Sequence, residues 1–185
     1  MKRSIMLAAF LLAGAMAATG CGQARTTHSS AVETSAGQPM TIDIVNGQGT
    51  KIGSARLTPM SHGVLFEVDA AQLAPGAHGI HLHETGQCKA PDFKSAGSHF
   101  NPTGKQHGFN NPKGYHAGDL PNLVVTADGK AQAQFFDPNV TLEKGKPNSL
   151  LKEGGTALVI HEKADDYKTD PAGDSGDRIA CGQIR

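Results

Sequence analysis

From Thr41 onward, apolar and polar positions alternate along the chain. Ile42 and Ile44 flank Asp43, a run from Ile52 through Ala55 to Leu57 follows, and Val64, Phe66 and Val68 then recur at every second residue. A period of two puts such residues on one face of a β-strand. The string Pro59-Met60-Ser61-His62-Gly63 separates the second and third runs and reads as a hairpin connection, with His62 as a polar turn residue. Further strands are predicted at 78–83, 123–126, 131–136, 156–160 and 178–184, with Ala131, Ala133 and Phe135 sharing a face. No segment keeps a long 3.6-residue apolar period, and no internal repeat is visible. The pattern predicts an all-β fold, an eight-stranded antiparallel Greek-key barrel or sandwich. Three connections, 84–119, 137–153 and 162–177, are far longer than turns; structureless connections of that length are usually functional or disordered, and the three histidines and the cysteine in the first favour function.

The N-terminus follows a different rule. Lys2 and Arg3 precede an apolar run from Ile5 to about Thr19, too short to span a bilayer comfortably, so residues 1–20 read as an export signal. The string Ala18-Thr19-Gly20-Cys21 resembles the lipobox of bacterial lipoproteins, with Ala18 where a leucine is usual, and that resemblance makes Cys21 the lipid-anchored first residue of the mature chain. Residues 21–38 lack apolar periodicity and read as a flexible tether in which His28 is solvated spacer, leaving 39–185 as the folded domain. Three cysteines leave one over after pairing. Lipidation of Cys21 would account for it, and Cys88 and Cys181 would then be free to pair in an oxidising compartment.

Composition changes the picture at two points. The 185-residue chain has a formal net charge of zero and a pI near 7.1, without the basic excess of a nucleic-acid binder. It also holds nine histidines, six of them between His78 and His116. His81 and His83 are two apart on a predicted strand, so both imidazoles project to one side while Ile80 and Leu82 face the core. His78 has the opposite parity and reads as a packed, hydrogen-bonded histidine supporting the site. His99, His107, His116 and Asp119 follow at spacings of 8, 9 and 3, a complete tetrahedral donor set for zinc. A metal there would offset the ordering entropy of a loop that holds six glycines and three prolines between Glu84 and Asp119. His161 ends an apolar run beside the acidic string Glu162-Lys163-Ala164-Asp165-Asp166, which fits a ligand with carboxylate partners.

Taken together, Gly-x-His-Gly-x-His-x-His, His-Phe-Asn-Pro, His-x-Gly-Asp-Leu, Val-Ile-His-Glu-Lys-Ala-Asp-Asp and Gly-Asp-Arg-Ile-Ala-Cys-Gly resemble, in order, the copper/zinc superoxide dismutase family over roughly residues 41–185. The resemblance implies a Greek-key barrel with long metal-binding and electrostatic loops, and one copper and one zinc per subunit. Copper would be held by His81, His83, His99 and His161, and zinc by His99, His107, His116 and Asp119, with His99 bridging the two. Asp165 would link His81 to His107, Arg178 would orient the superoxide anion, and Cys88 and Cys181 would form the intrasubunit disulfide. The implied activity is dismutation of superoxide outside the cytoplasm, on a membrane-anchored, secreted or periplasmic protein. Monomer and homodimer are both compatible with it.

Other functions fit less well. A non-catalytic metal-binding or copper-delivery module of the same fold has no use for Arg178. A zinc hydrolase needs an open metal position and a nearby base, whereas the 99–119 set is closed. A structural cell-surface sandwich leaves the metal-type residues without a role. The chain departs from the family in one loop. Pro171 and Ala172 stand where a lysine and a threonine are usual, and six acids between Glu162 and Arg178 face only Lys163, Lys168 and Arg178. Lys94, Lys105 and Lys113 are the candidates to restore positive charge.

Overall fold

The computed structural model describes residues 38–185, so the export signal, Cys21, His28 and the tether up to residue 37 lie outside the described residues. Nine strands follow in order: β1 Met40–Asn46, β2 Lys51–Pro59, β3 Val64–Ala70, β4 Gly76–His78, β5 Ile80–His83, β6 Leu123–Val125, β7 Ala131–Asp137, β8 Thr156–His161 and β9 Arg178–Ile184. Seven form one antiparallel sheet in the order β5-β8-β9-β1-β2-β3-β7, and β4 pairs with β6 in a two-stranded ribbon. The ribbon joins the edges of the large sheet. β4 runs into β5 through Gly79, and β6 turns into β7 where the Thr126 amide donates to Lys130 O at 2.8 Å. The sheet therefore curls into the expected all-β barrel, with crossovers from β3 to β4 and from β7 to β8.

The predicted strand 78–83 is divided at Gly79, which makes nine segments of eight expected strands. The chain there changes partner, from β6 on one side to β8 on the other. Gly79 donates to Lys163 O and accepts from the His161 amide at 2.7 and 2.8 Å, and a Cβ on it would lie 2.7 Å from Ser175 Oγ. Any side chain at this position would force Ser175 to shift.

The alternating residues fill the interior as expected. Ile44, Leu57, Val64, Phe66, Ile80, Leu82, Leu158, Ile160 and Ile184 are buried in one cluster. Each large apolar side chain so buried contributes about 1.5–3 kcal/mol. A second, smaller cluster of Phe93, Ala96, Ala157, Val159 and Cys181 packs on the other face of β8 and β9. It explains why every residue of β8 is buried: the barrel covers one face and the β5–β6 connection the other. The Cys88–Cys181 disulfide, with Cα atoms 5.6 Å apart, fastens that connection to β9.

Candidate metal centre

Two groups of donors meet on the outer wall of the barrel, under the long loops. His81 and His83 come from β5, His161 from the end of β8, and His99 from the connection that returns to pair with His83. Their ring nitrogens lie within 4.8 Å of one another and all four residues are buried. Four buried atoms here have no hydrogen-bond partner: Nδ1 of His81 and Nε2 of His83, His99 and His161. Buried polar atoms without partners are costly, and four converging imidazole lone pairs are a donor set for a soft-to-borderline metal ion.

The opposite nitrogens of three of these rings are all engaged. His81 Nε2 donates to Asp165 Oδ2 at 2.8 Å, His83 Nδ1 to Gly97 O at 2.9 Å, and His161 Nδ1 to Gly176 O at 3.3 Å. Such bonds fix the tautomer and leave the other lone pair free to coordinate. Burial lowers the pKa of all four rings, to about 4 for His99 and about 3 for His161, and well below the usual range for His83. Neutral imidazole is the ligand form.

The second group shares His99. Its Nδ1, together with Nδ1 of His107 and His116, lies 3.0–3.2 Å from Asp119 Oδ1. Asp119 Oδ2 accepts from the amides of Gly108 and His116, which orients the carboxylate. Burial would raise the Asp119 carboxyl, but its three histidine partners hold it far below the usual range. Burial would likewise lower His107, but its bonds to Asp119 and Asp165 raise it to about 9. Three nitrogens and one oxygen in a closed cluster fit zinc.

Asp165 stands between the groups. Oδ2 accepts from His81, and Oδ1 from His107 Nε2 at 3.0 Å. Arg178, the first residue of β9, reaches over the site half-buried, its guanidinium donating to Phe93 O at 2.9 Å and Gly97 O at 2.7 Å. Burial lowers its pKa somewhat, and Asp92 opposes this. A hollow of about 430 Å³ above it is lined by Pro91, Asp92, Lys94, Gly176 and Asp177. Of the three candidate lysines only Lys94 lines this hollow. His78 is buried on the other parity, its two ring nitrogens 2.8 Å from the carbonyls of His161 and Ala74.

Residues 51–184 match the family model described as copper/zinc superoxide dismutase. The chain belongs to that family. It is an enzyme of the superoxide dismutase type, and its cofactors are copper and zinc. It is 56% identical over 144 residues to superoxide dismutase [Cu-Zn] 1 of Aquifex aeolicus, covering 77% of this chain and 85% of that one. It is 43% identical to a superoxide dismutase-like protein of Bacillus subtilis, covering 100% of this chain and 96% of that one. The crystal structure of a superoxide dismutase-like protein from Bacillus subtilis superposes with a TM-score of 0.76 at 46% identity, over 78% of this chain and 97% of that one. The copper/zinc superoxide dismutase of Brucella abortus superposes with a TM-score of 0.63 at 28% identity, over 80% of this chain and 100% of that one.

The structure brings the nominated donors of this superoxide dismutase together in two groups that share His99 and sets Asp165, Arg178 and His78 beside them, whereas Lys105 and Lys113 do not line the hollow. What the sequence did not show is backbone. The carbonyls of Gly97, Gly176 and Phe93 hold His83, His161 and Arg178, and no side-chain motif announces a carbonyl. Asn122 was also missed. Its side chain accepts from the Asp165 amide at 2.8 Å and donates to Asp165 O at 2.9 Å, which fixes the residue that links both groups.

Proposed function

We propose that His81, His83, His99 and His161 hold copper, that His99, His107, His116 and Asp119 hold zinc, and that His99 bridges the two. The observation that carries this reading is the position of His99, with an unpartnered Nε2 facing the first group and Nδ1 3.1 Å from Asp119 Oδ1. Copper supplies the one-electron couple that dismutation needs and that zinc lacks. Two superoxide anions and two protons give oxygen and hydrogen peroxide. His99 Nε2 takes a proton and returns it, while Nδ1 stays with the zinc group and holds the ring in place. Arg178 attracts and orients the anion, its two carbonyl contacts fixing the guanidinium plane beforehand. Asp165 holds the His81 and His107 rings, and His78 supports the backbone at His161.

The same reading places the enzyme outside the cytoplasm, anchored through a lipid on Cys21 and guarding the cell exterior against superoxide. The Cys88–Cys181 disulfide supports export, because such bonds persist in oxidising compartments. The decisive experiment is a copper and zinc analysis with a superoxide assay on the wild type and on His99→Ala. The variant is expected to lose stoichiometric binding of both metals along with activity. Full copper and zinc in the variant would refute the bridge. Cys21→Ser should release the protein from membranes, and wild-type protein that is already wholly soluble would refute the anchor.

A further inference from the structure

Strand register places several chain segments at one end of the barrel. β1 begins at Met40, opposite Leu57 near the end of β2. Pro59, the last residue of β2, faces Val64, and Val64 faces Asp137 at the end of β7. β9 ends at Ile184 opposite Thr156, the first residue of β8, and runs antiparallel to β1. The 138–155 connection therefore lies at the end of the barrel where the chain arrives from the tether.

That end is basic. Lys144, Lys152 and Arg185 line one hollow of about 430 Å³ together with Gln87, Leu151 and two glycines, and no acid is among the lining residues. Lys146 pairs with Glu143 at 3.4 Å, whereas the three cations of the hollow have no ion-pair partner among the described residues. Phe136, half exposed beside His62, adds an apolar edge at the same end. We propose that this end docks on anionic lipid headgroups of the bilayer that holds the anchor. The proposal rests on the lipid-anchor reading of Cys21.

A tether leaving from this end keeps the bilayer at high effective concentration. Unpaired lysines and arginines are attracted to an anionic leaflet within about one Debye length of it, some 8 Å at physiological salt. Arg178 opens β9 at the far end of a seven-residue strand, roughly 20 Å away. Docked this way, the superoxide channel faces the aqueous side, beyond the field that would repel an anion.

The test is amine acetylation of the processed full-length protein on phosphatidylcholine vesicles, with and without about one third phosphatidylglycerol, read lysine by lysine by mass spectrometry. With phosphatidylglycerol, Lys144 and Lys152 should react about fivefold more slowly, and the protection should vanish at high salt. Lys51 and Lys130, at the other end of the barrel, should be unaffected. Equal rates at both ends on both vesicle types would overturn the docking surface while leaving the anchor intact. Protein that stays in solution with plain phosphatidylcholine vesicles means that the anchor reading has failed. Protection of Lys144 and Lys152 by added phosphatidylglycerol vesicles would then still support the surface, and its absence would overturn it.

Discussion

His83 and Arg178 donate to the same atom, the carbonyl oxygen of Gly97, at 2.9 and 2.7 Å. The arginine reaches a second carbonyl, that of Phe93, with its other arm. A ring of the first donor group and the guanidinium thus share a fixed point on the loop. At Gly97, φ is +76° and a Cβ would lie 2.7 Å from the Glu84 carboxylate, so the position requires glycine.

An ammonium group cannot span two carbonyls as a guanidinium fork does. Arg178→Lys should therefore lower the rate with superoxide about tenfold, and Arg178→Ala about a hundredfold, with copper and zinc contents unchanged. Rates measured alongside metal analysis check this. A wild-type rate in the alanine variant would remove Arg178 from the mechanism.

The metal-free protein should be most stable near pH 6.5. Unfolded histidine titrates near that value, whereas burial keeps His83, His99 and His161 neutral when folded, His99 down to about 4 and His161 to about 3. Below pH 6.5 the unfolded chain binds protons that the fold refuses, so stability falls as the pH drops. His107 is raised to about 9, so its contribution is complete below pH 6.5 and is lost as the pH climbs through 9. Zinc should erase the alkaline limb by replacing the proton on His107 Nδ1. Denaturant melts across this range, with and without zinc, would show it. Metal-free stability that rises steadily to pH 9 would contradict the assignment.

Cys88→Ser should loosen the β5–β6 connection more than the barrel. The disulfide closes a loop across 93 positions, for which chain entropy gives roughly 4–5 kcal/mol. Hydrogen exchange should quicken first at the amides of Phe93, Ala96 and Gly97, whose partners all lie within the loop. Uniform acceleration over β1 to β3 would show that the bond stabilises the fold as a whole.

Lys94 lines the hollow above Arg178 and lies 3.4 Å from Asp92. Neutralising Lys94 should slow the bimolecular rate severalfold and flatten its salt dependence. Asp92→Asn should speed the reaction, and neutralising Lys105 and Lys113 together should have little effect. An equal loss from the Lys105 and Lys113 pair would show that steering extends over the whole loop.

The barrel was legible because Ile42, Ile44, Phe66 and Val68 obey a two-residue period that burial reproduces. The donors were legible because metal chemistry restricts residue type, and His-x-His on a strand has one geometric meaning. The break at Gly79 was not legible, since it depends on Ser175 approaching from nearly a hundred residues away. Nor was the burial of both faces of β8, which depends on where Phe93 and Ala96 dock. Long-range packing decided both.

Asp165 spends one oxygen on His81 and the other on His107, and Gly173 lies so close that any side chain there would collide with that carboxylate and come within 2.7 Å of His107 Nε2. The two donor groups therefore cannot be altered independently through Asp165 or Gly173. A change at either residue disturbs both groups at once, whereas a surface position of the same loop that touches neither is free to vary. The acid-rich stretch before Arg178 is the variation such an arrangement permits.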